Sequence, residues 1–334
     1  MTTIGFVLAF CLVALFVYMA RYSGRLRVEE KRLVDAPLTE VWACVADLRR
    51  WREWNPWLEH EPDVPLSLSD RSDAEGSRLA WDSERIGSGL IEHRRLQAPR
   101  RIEQRVRFQA PFRFKGRAVW TFAERGGKTE VTWQLRGRVA FRVRAFAKTV
   151  QETIVLDFRY GLEKLAARVE PAGSSRYSLA YLGVEDAAAA RCAAITYSGP
   201  LGGLRAAVRD SVAELRRELA RRGVAPAGAP VALYSRTNIK LRTTVCHIGI
   251  PVGDAVVDGL EVRELPAHRG FGVRLAGSLE GLEVAWYQAM QGMRVDGIEP
   301  DQRIAPFERY LVDPGAGPEI DGQTELFIPV RQRG

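Results

Sequence analysis

The sequence predicts an α+β chain: two globular domains behind an apolar N-terminal helix. Three observations predict it. A charge-free run lies near the start. Helix and strand periodicities over 26–170 close on one long amphipathic helix. The second half is built from two copies of a strand-helix-strand-strand unit. At 334 residues the chain is long enough for two domains of ordinary size. Its composition, 46% hydrophobic and 27% charged, excludes collagen-like and broadly disordered classes.

The apolar run is 4–20, from Ile4 to Ala20, without a charge. It sits at the short end of the length a membrane-spanning helix needs. Tyr18 and Tyr22 stand where interfacial aromatics belong. A secretory signal would want a basic segment first, and only Met1, Thr2 and Thr3 precede the run. Arg21, Arg25, Arg27, Lys31 and Arg32 follow it instead. Residues 1–25 therefore read as a transmembrane anchor with a basic flank, single-pass in the cell membrane, with bilayer lipid as a partner. The charge asymmetry puts the soluble domains in the cytoplasm.

Residues 26–170 carry 28 Lys and Arg against 22 Asp and Glu, whereas 171–334 carry 19 against 19. The basic excess reads either as a solvated surface or as attraction to an anionic membrane face. No nucleic-acid recognition motif accompanies it, so direct nucleic-acid binding is not expected. The cysteines Cys11, Cys44, Cys192 and Cys246 are scattered singly, which supports neither a zinc site nor a disulfide framework. No metal and no cofactor are expected.

The first domain spans 26–170. Arg27–Val34 alternates as a strand, and Pro37 with Glu40 suits a helix start, continued by Val41, Trp42, Val45 and Leu48. Trp51, Trp54 and Trp57 then crowd seven residues. They either pack that helical stretch onto the sheet or line the mouth of a cavity. Strands are predicted at Ser77–Trp81, Gly89–Leu96, Ile102–Phe108, Phe112–Phe122 and Thr129–Val139, separated by turn signals such as Gly126-Gly127. A helix over Phe141–Val169 closes the domain, with Phe146, Val150, Ile154, Phe158, Leu162 and Leu165 on its apolar face. Asp82, Glu84, Glu92 and His93 are acid/base candidates by type, and nothing selects among them.

These residues resemble the SRPBCC superfamily, START-like and polyketide cyclase-like. The match rests on Val34-Asp-Ala-Pro-Leu-Thr-Glu-Val-Trp42, on Asp47 with Trp51-Arg-Glu-Trp-Asn-Pro-Trp57, and on the closing helix. The resemblance implies a curved sheet gripping that helix around an apolar, ligand-binding cavity.

Glu170-Pro-Ala-Gly-Ser-Ser175 reads as a linker, 171–175, and the second domain spans 176–334. Ser198-Gly-Pro-Leu-Gly-Gly-Leu204 matches Ala276-Gly-Ser-Leu-Glu-Gly-Leu282, and Ile250-Pro-Val252 matches Ile328-Pro-Val330, at one shared offset. Val231-Ala-Leu-Tyr234 corresponds to Phe307-Glu-Arg-Tyr310 after a small gap. Helices are predicted over Gly203–Arg222 and Leu279–Met293. Two copies are too few for a solenoid, so a pseudo-twofold domain with a groove between its halves is expected.

Phe307-Glu-Arg-Tyr-Leu-Val-Asp-Pro314 with Thr324-Glu-Leu-Phe-Ile-Pro-Val330 places two carboxylates, Glu308 and Glu325, in strands that otherwise read as buried. A buried carboxylate is costly unless paired or hydrogen-bonded. The repeat puts Ala232 opposite Glu308 and His247 opposite Glu325 in the other half, so the carboxylates belong to one half only. Alternation points Glu308 and Tyr310 to one face, Phe307 and Arg309 to the other. An arginine partner such as Arg236, Arg242 or Arg309 is the alternative to a ligand.

These strands, with Val262-Arg-Glu-Leu-Pro-Ala-His268 and Trp286-Tyr287, resemble the GyrI-like effector-binding domain found in AraC-type and MerR-type regulators. The resemblance implies that Glu308, then Glu325, contacts a small aromatic or cationic ligand, with stacking from Tyr310, Trp286 or Tyr287. No DNA-binding domain accompanies it here. The expected function is a membrane-anchored small-molecule binding or sensing protein. The alternative is a hydrolase of small reactive or xenobiotic-like compounds with Glu308 as acid/base, and a purely structural module is the third possibility.

Overall fold

The computed structural model describes residues 21, 23–314 and 322–331. The chain divides into two compact units, the first ending at Ser175 and the second starting at Arg176.

In the first unit seven strands form one antiparallel sheet. They are β1 (Arg25–Val34), β2 (Leu66–Leu68), β3 (Arg78–Ser83), β4 (Gly87–Gln97), β5 (Arg101–Ala110), β6 (Phe114–Arg125) and β7 (Lys128–Val139). Their order is β1-β7-β6-β5-β4-β3-β2, a meander from β2 to β7 with β1 returned to pair with the last strand. Gly126 and Gly127 make the β6–β7 turn with φ of 57° and 79°, the left-handed pair that a two-residue hairpin favours. Helix α1 (Leu38–Ala46) and two 3₁₀ turns link β1 to β2, and α2 (Ala147–Val169) packs across β1.

The closing helix begins six residues later than its sequence periodicity predicts. Phe141–Phe146 is a 3₁₀ turn, and the tighter winding takes Phe146 off the apolar stripe, leaving it 63% exposed. The buried face starts at Ile154 and runs through Phe158, Leu162 and Leu165. Beneath it Trp51 and Trp54 are buried in the core with Trp120 and Trp133, whereas Trp57, the third of the clustered tryptophans, is half-buried at the edge of that core.

The second unit holds β8 (Tyr177–Ala187), β9 (Ala190–Pro200), α3 (Leu204–Arg221), β10 (Val231–Asn238) and β11 (Thr243–Pro251). Then come β12 (Glu261–Leu265), β13 (His268–Gly277), α4 (Leu282–Val295), β14 (Phe307–Tyr310) and β15 (Gln323–Pro329). Its eight strands are ordered β12-β9-β11-β10-β14-β15-β13-β8. Read from either end, equivalent strands of the two copies come in the same sequence. Each copy's first strand pairs in the other copy's half, β8 with β13 and β12 with β9. The central pair is β10 with β14, in register Val231↔Arg309, Ala232↔Glu308 and Leu233↔Phe307. The internal pseudo-twofold therefore passes through Ala232 and Glu308. It also relates two identical bonds, Tyr234 N–H to the Pro306 carbonyl and Tyr310 N–H to the Pro230 carbonyl, each 2.9 Å.

Two expectations are corrected. The fold is two mostly antiparallel sheets with few helices, not an α+β chain led by a transmembrane helix. Among the described residues no helix is long and apolar enough to cross a membrane. The longest, α2, has 23 residues but carries Lys148, Glu152, Asp157, Arg159, Glu163, Lys164 and Arg168 along its length. The apolar run 4–20, with Tyr18 and Tyr22, lies outside the described residues. The expected single-pass membrane localisation, and bilayer lipid as a partner, are corrected to this extent: no membrane-crossing helix among the described residues supports them.

Candidate functional site

Glu308 lies at the centre of the second unit's sheet and is 0% exposed. Strand alternation turns it to the helix-covered face, where Ala232 and Tyr310 pack with Leu204, Val208 and Val212 of α3. Its carboxylate accepts three hydrogen bonds, all from aromatic side chains. The Tyr234 hydroxyl donates to Oε1 at 2.6 Å and Trp286 Nε1–H, from α4, to the same oxygen at 2.7 Å. The Tyr310 hydroxyl donates to Oε2 at 2.5 Å. Tyr234 and Trp286 are half-buried and meet edge to face, 5.5 Å between centroids. Among the described residues no cation is paired with Glu308.

Burial pushes the Glu308 carboxyl above the ordinary glutamate range, and the hydrogen bonds from Tyr234, Tyr310 and Trp286 offset only part of that. Burial, and then the neighbouring carboxylate, push both phenols well above their usual range, so they remain donors. The result is a carboxyl enclosed by π systems, with no cation paired to it among the described residues.

Glu325 takes no part in this cluster. It faces the opposite side of the sheet, directly across from Arg309 on β14 and Arg274 on β13. Arg274 donates to Oε1 at 3.0 and 2.6 Å, and Arg309 to Oε2 at 2.9 and 2.5 Å. Burial raises its pKa, but the two guanidiniums outweigh that and hold the carboxyl below the usual range. The sign follows: with a depressed folded pKa, the stabilisation is present above the ordinary glutamate range and lost as pH falls through the folded value. Glu325→Gln is expected to flatten the acid limb of the second unit's unfolding midpoint against pH. An unchanged limb would deny the ion triad this role.

Of the remaining expected site residues, Tyr310 and Trp286 reach Glu308, and Tyr287 is buried on α4 but is not one of its donors. Sequence reasoning missed Tyr234. The signal was present: Tyr234 is the repeat equivalent of Tyr310, so the twofold that centres on Glu308 brings both phenols to it. His247, the repeat counterpart of Glu325, bonds to the Ser235 hydroxyl at 2.7 Å through Nε2 and to the Thr196 hydroxyl at 2.8 Å through Nδ1.

The first unit's interior is aromatic. Trp133 stacks on Phe158 at 3.6 Å and on Trp120 at 4.2 Å. One polar chain crosses it. Trp120 Nε1–H donates to Gln104 Oε1 at 2.9 Å, the Gln104 amide lies 3.3 Å from His93 Nδ1, and His93 Nε2 is 2.8 Å from the Ala46 carbonyl. Burial holds His93 below the ordinary histidine range, so the ring is neutral with its proton on Nε2. Gln104→Leu would strand the Trp120 and His93 nitrogens and is expected to cost about 1–3 kcal/mol in denaturant unfolding. Among the acid candidates, Glu92 is held by Arg78, Arg94 and Arg105. Two buried donors, Asn55 Nδ2 and Trp133 Nε1, have no partner among the described residues.

Residues 25–170, less than half of the chain, match the family described as Polyketide cyclase / dehydrase and lipid transport. A search of curated proteins finds no match. Among solved structures, a protein of Chromobacterium violaceum is 18% identical over 43% of this chain and 97% of its own, with a TM-score of 0.35. CalU16 of Micromonospora echinospora is 16% identical over 43% and 76%, with a TM-score of 0.31. EcmrR, solved in complex with DNA, is 15% identical over 58% and 70%, with a TM-score of 0.40. No ligand or partner of this chain follows from likenesses at those scores.

Proposed function

We propose that the chain binds small molecules in both units, and that the second unit selects an aromatic cation through Glu308. One observation carries this reading: a fully buried carboxylate held only by aromatic donors, with no cation paired to it among the described residues. Such a charge is costly to bury and becomes favourable when a cation joins it. Tyr234 and Trp286, both half-buried, form the cover that a ligand displaces or stacks against. The ligand's positive end meets Glu308 and its ring meets the aromatic walls.

For the first unit, the family match and the aromatic interior support an apolar ligand with one acceptor atom, facing the unpartnered Asn55 and Trp133 donors. The raised pKa of Glu308 also supports the hydrolytic alternative, in which the carboxyl moves a proton.

The test is titration of benzyltrimethylammonium and of its uncharged carbon isostere against the wild type and Glu308→Gln. The wild type should prefer the cation by at least about tenfold, the loss of one desolvated charge contact, and the variant should bind both alike. Equal affinities in the wild type would overturn the reading. Turnover of an ester analogue that disappears in Glu308→Gln while binding persists would favour the hydrolase.

A further inference from the structure

We propose that the first unit carries a second, separate site, for compact phosphate clusters, on the outward face of its sheet where β1, β7 and β6 run side by side. A depression of about 760 Å³ lies there. Two cross-strand rows of cations run along it, and all of their members but Arg117 line it. In the first row Arg25 sits opposite Arg138, and Arg138 opposite Lys115. Two residues along, Arg27 sits opposite Arg136, and Arg136 opposite Arg117. The period of two puts both rows on the same face, and all six side chains are exposed.

Between the rows, Leu26, Gly137 and Gly116 lie in register, so the floor is peptide backbone. Glycine is required at two of these positions because Phe114, packed on the inner face, lies against them. A Cβ at Gly116 or Gly137 would come within 2.6 or 2.5 Å of its ring. Arg113 stands at one end of the trough.

The arrangement is unfavourable by itself. Like charges directly opposite across a sheet repel, and here four such contacts lie side by side. Acidic neighbours offset them only at Arg117. Residues 101–150 carry 13 Lys and Arg against 3 Asp and Glu. Arg117 is paired with Glu103, but among the described residues no ion pair holds Arg25, Arg27, Lys115, Arg136 or Arg138. Elsewhere on the same sheet the arginines do have acids: Arg78, Arg94 and Arg105 share Glu92. Five cations without an ion pair among the described residues thus gather at the depression, and Arg107 of β5, opposite Lys115, extends the row beyond it.

A ligand that relieves the repulsion must bring several negative charges within a small volume. Guanidinium groups bind phosphate through paired N–H bonds, and rows about 6.6 Å apart along the strands and about 4.8 Å apart between them can hold a phosphate cluster from two sides. The bounded trough fits a compact polyanion better than a long polymer. This site is independent of Glu308 and of the aromatic interior.

The probe is inorganic tripolyphosphate, added to the full chain while thermal unfolding is followed, with sodium chloride at matched ionic strength as control. Tripolyphosphate is expected to raise the first unit's unfolding midpoint and chloride is not. The double variant Arg136→Gln/Arg138→Gln should unfold at or above the wild-type midpoint without ligand, since repulsion is relieved. Its tripolyphosphate affinity should fall by about tenfold for each guanidinium removed. An equal response in the variant, or an equal response to chloride, overturns the proposal. Binding of short single-stranded DNA or of phosphatidic acid vesicles through these residues, with no response to tripolyphosphate, overturns it as well.

Discussion

Glu308→Gln is expected to stabilise the second unit at neutral pH while removing its preference for a cation. The folded protein holds the Glu308 carboxyl above its ordinary range because burial outweighs the hydrogen bonds from Tyr234, Tyr310 and Trp286. Its contribution is fully present below the ordinary glutamate range and is lost as pH rises through the raised folded value. Each unit of such a shift corresponds to about 1.4 kcal/mol at pH values above it. Glutamine cannot ionise, so the variant should not lose that increment. Its carbonyl can still accept from Tyr234 and Trp286, and its amide can donate to the Tyr310 oxygen, so the cluster stays bonded. Glu308→Ala should behave in the opposite way. It leaves buried donors with no acceptor, at about 1–3 kcal/mol for each one that cannot turn to water. Tyr310, buried at 3% exposure, has the least freedom to do so. Unfolding midpoints of wild type, Gln and Ala variants across the acid-to-neutral range decide the matter. A Gln variant less stable than wild type at neutral pH would mean the carboxylate is held for the fold, not for a ligand.

The two late-strand glutamates titrate with opposite signs because alternation separates their faces. Glu308 faces the helices and meets only neutral donors, whereas Glu325 faces Arg274 and Arg309. The sequence shows that both are unusual residues in apolar strands, and it shows that Glu308 and Tyr310 share a face. Cross-strand register, which decides that Glu325 lies beside two arginines, depends on pairing between strands far apart in the chain and leaves no local trace. The repeat was legible from its shared offset. Its consequence, that the axis runs through Ala232 and Glu308, required knowing that β10 and β14 are neighbours. In the first unit, hairpin signals located the meander strands β3 to β7 to within a few residues, and the three-residue edge strand β2 left no such signal. Periodicity overran at Phe146 because a 3₁₀ turn keeps an apolar composition while changing its winding. The basic trough was invisible for the same reason as the arginine triad: charge content is written in the sequence, but Arg25 and Arg138 become neighbours only when β1 pairs with β7.

Phe158→Ala is expected to cost the first unit about 3–5 kcal/mol, the usual range for deleting a buried aromatic ring. Phe158 is 0% exposed and lies parallel to Trp133, 3.6 Å between centroids and 9° between planes. Trp133 in turn stacks on Trp120, whose indole N–H begins the polar chain to His93. The neighbours are large, flat and held by their own contacts, so the space left by the ring should not close fully. That makes the variant a test of ligand capacity as well as of packing. A small aromatic molecule should fill the gap and restore part of the lost midpoint. Because Trp133 Nε1 has no partner among the described residues, a ring bearing an acceptor atom should restore more than benzene does. A loss below about 1 kcal/mol would show that the interior collapses readily. Equal rescue by benzene and by the acceptor-bearing ring would show that the Trp133 donor does not direct ligand binding in this unit.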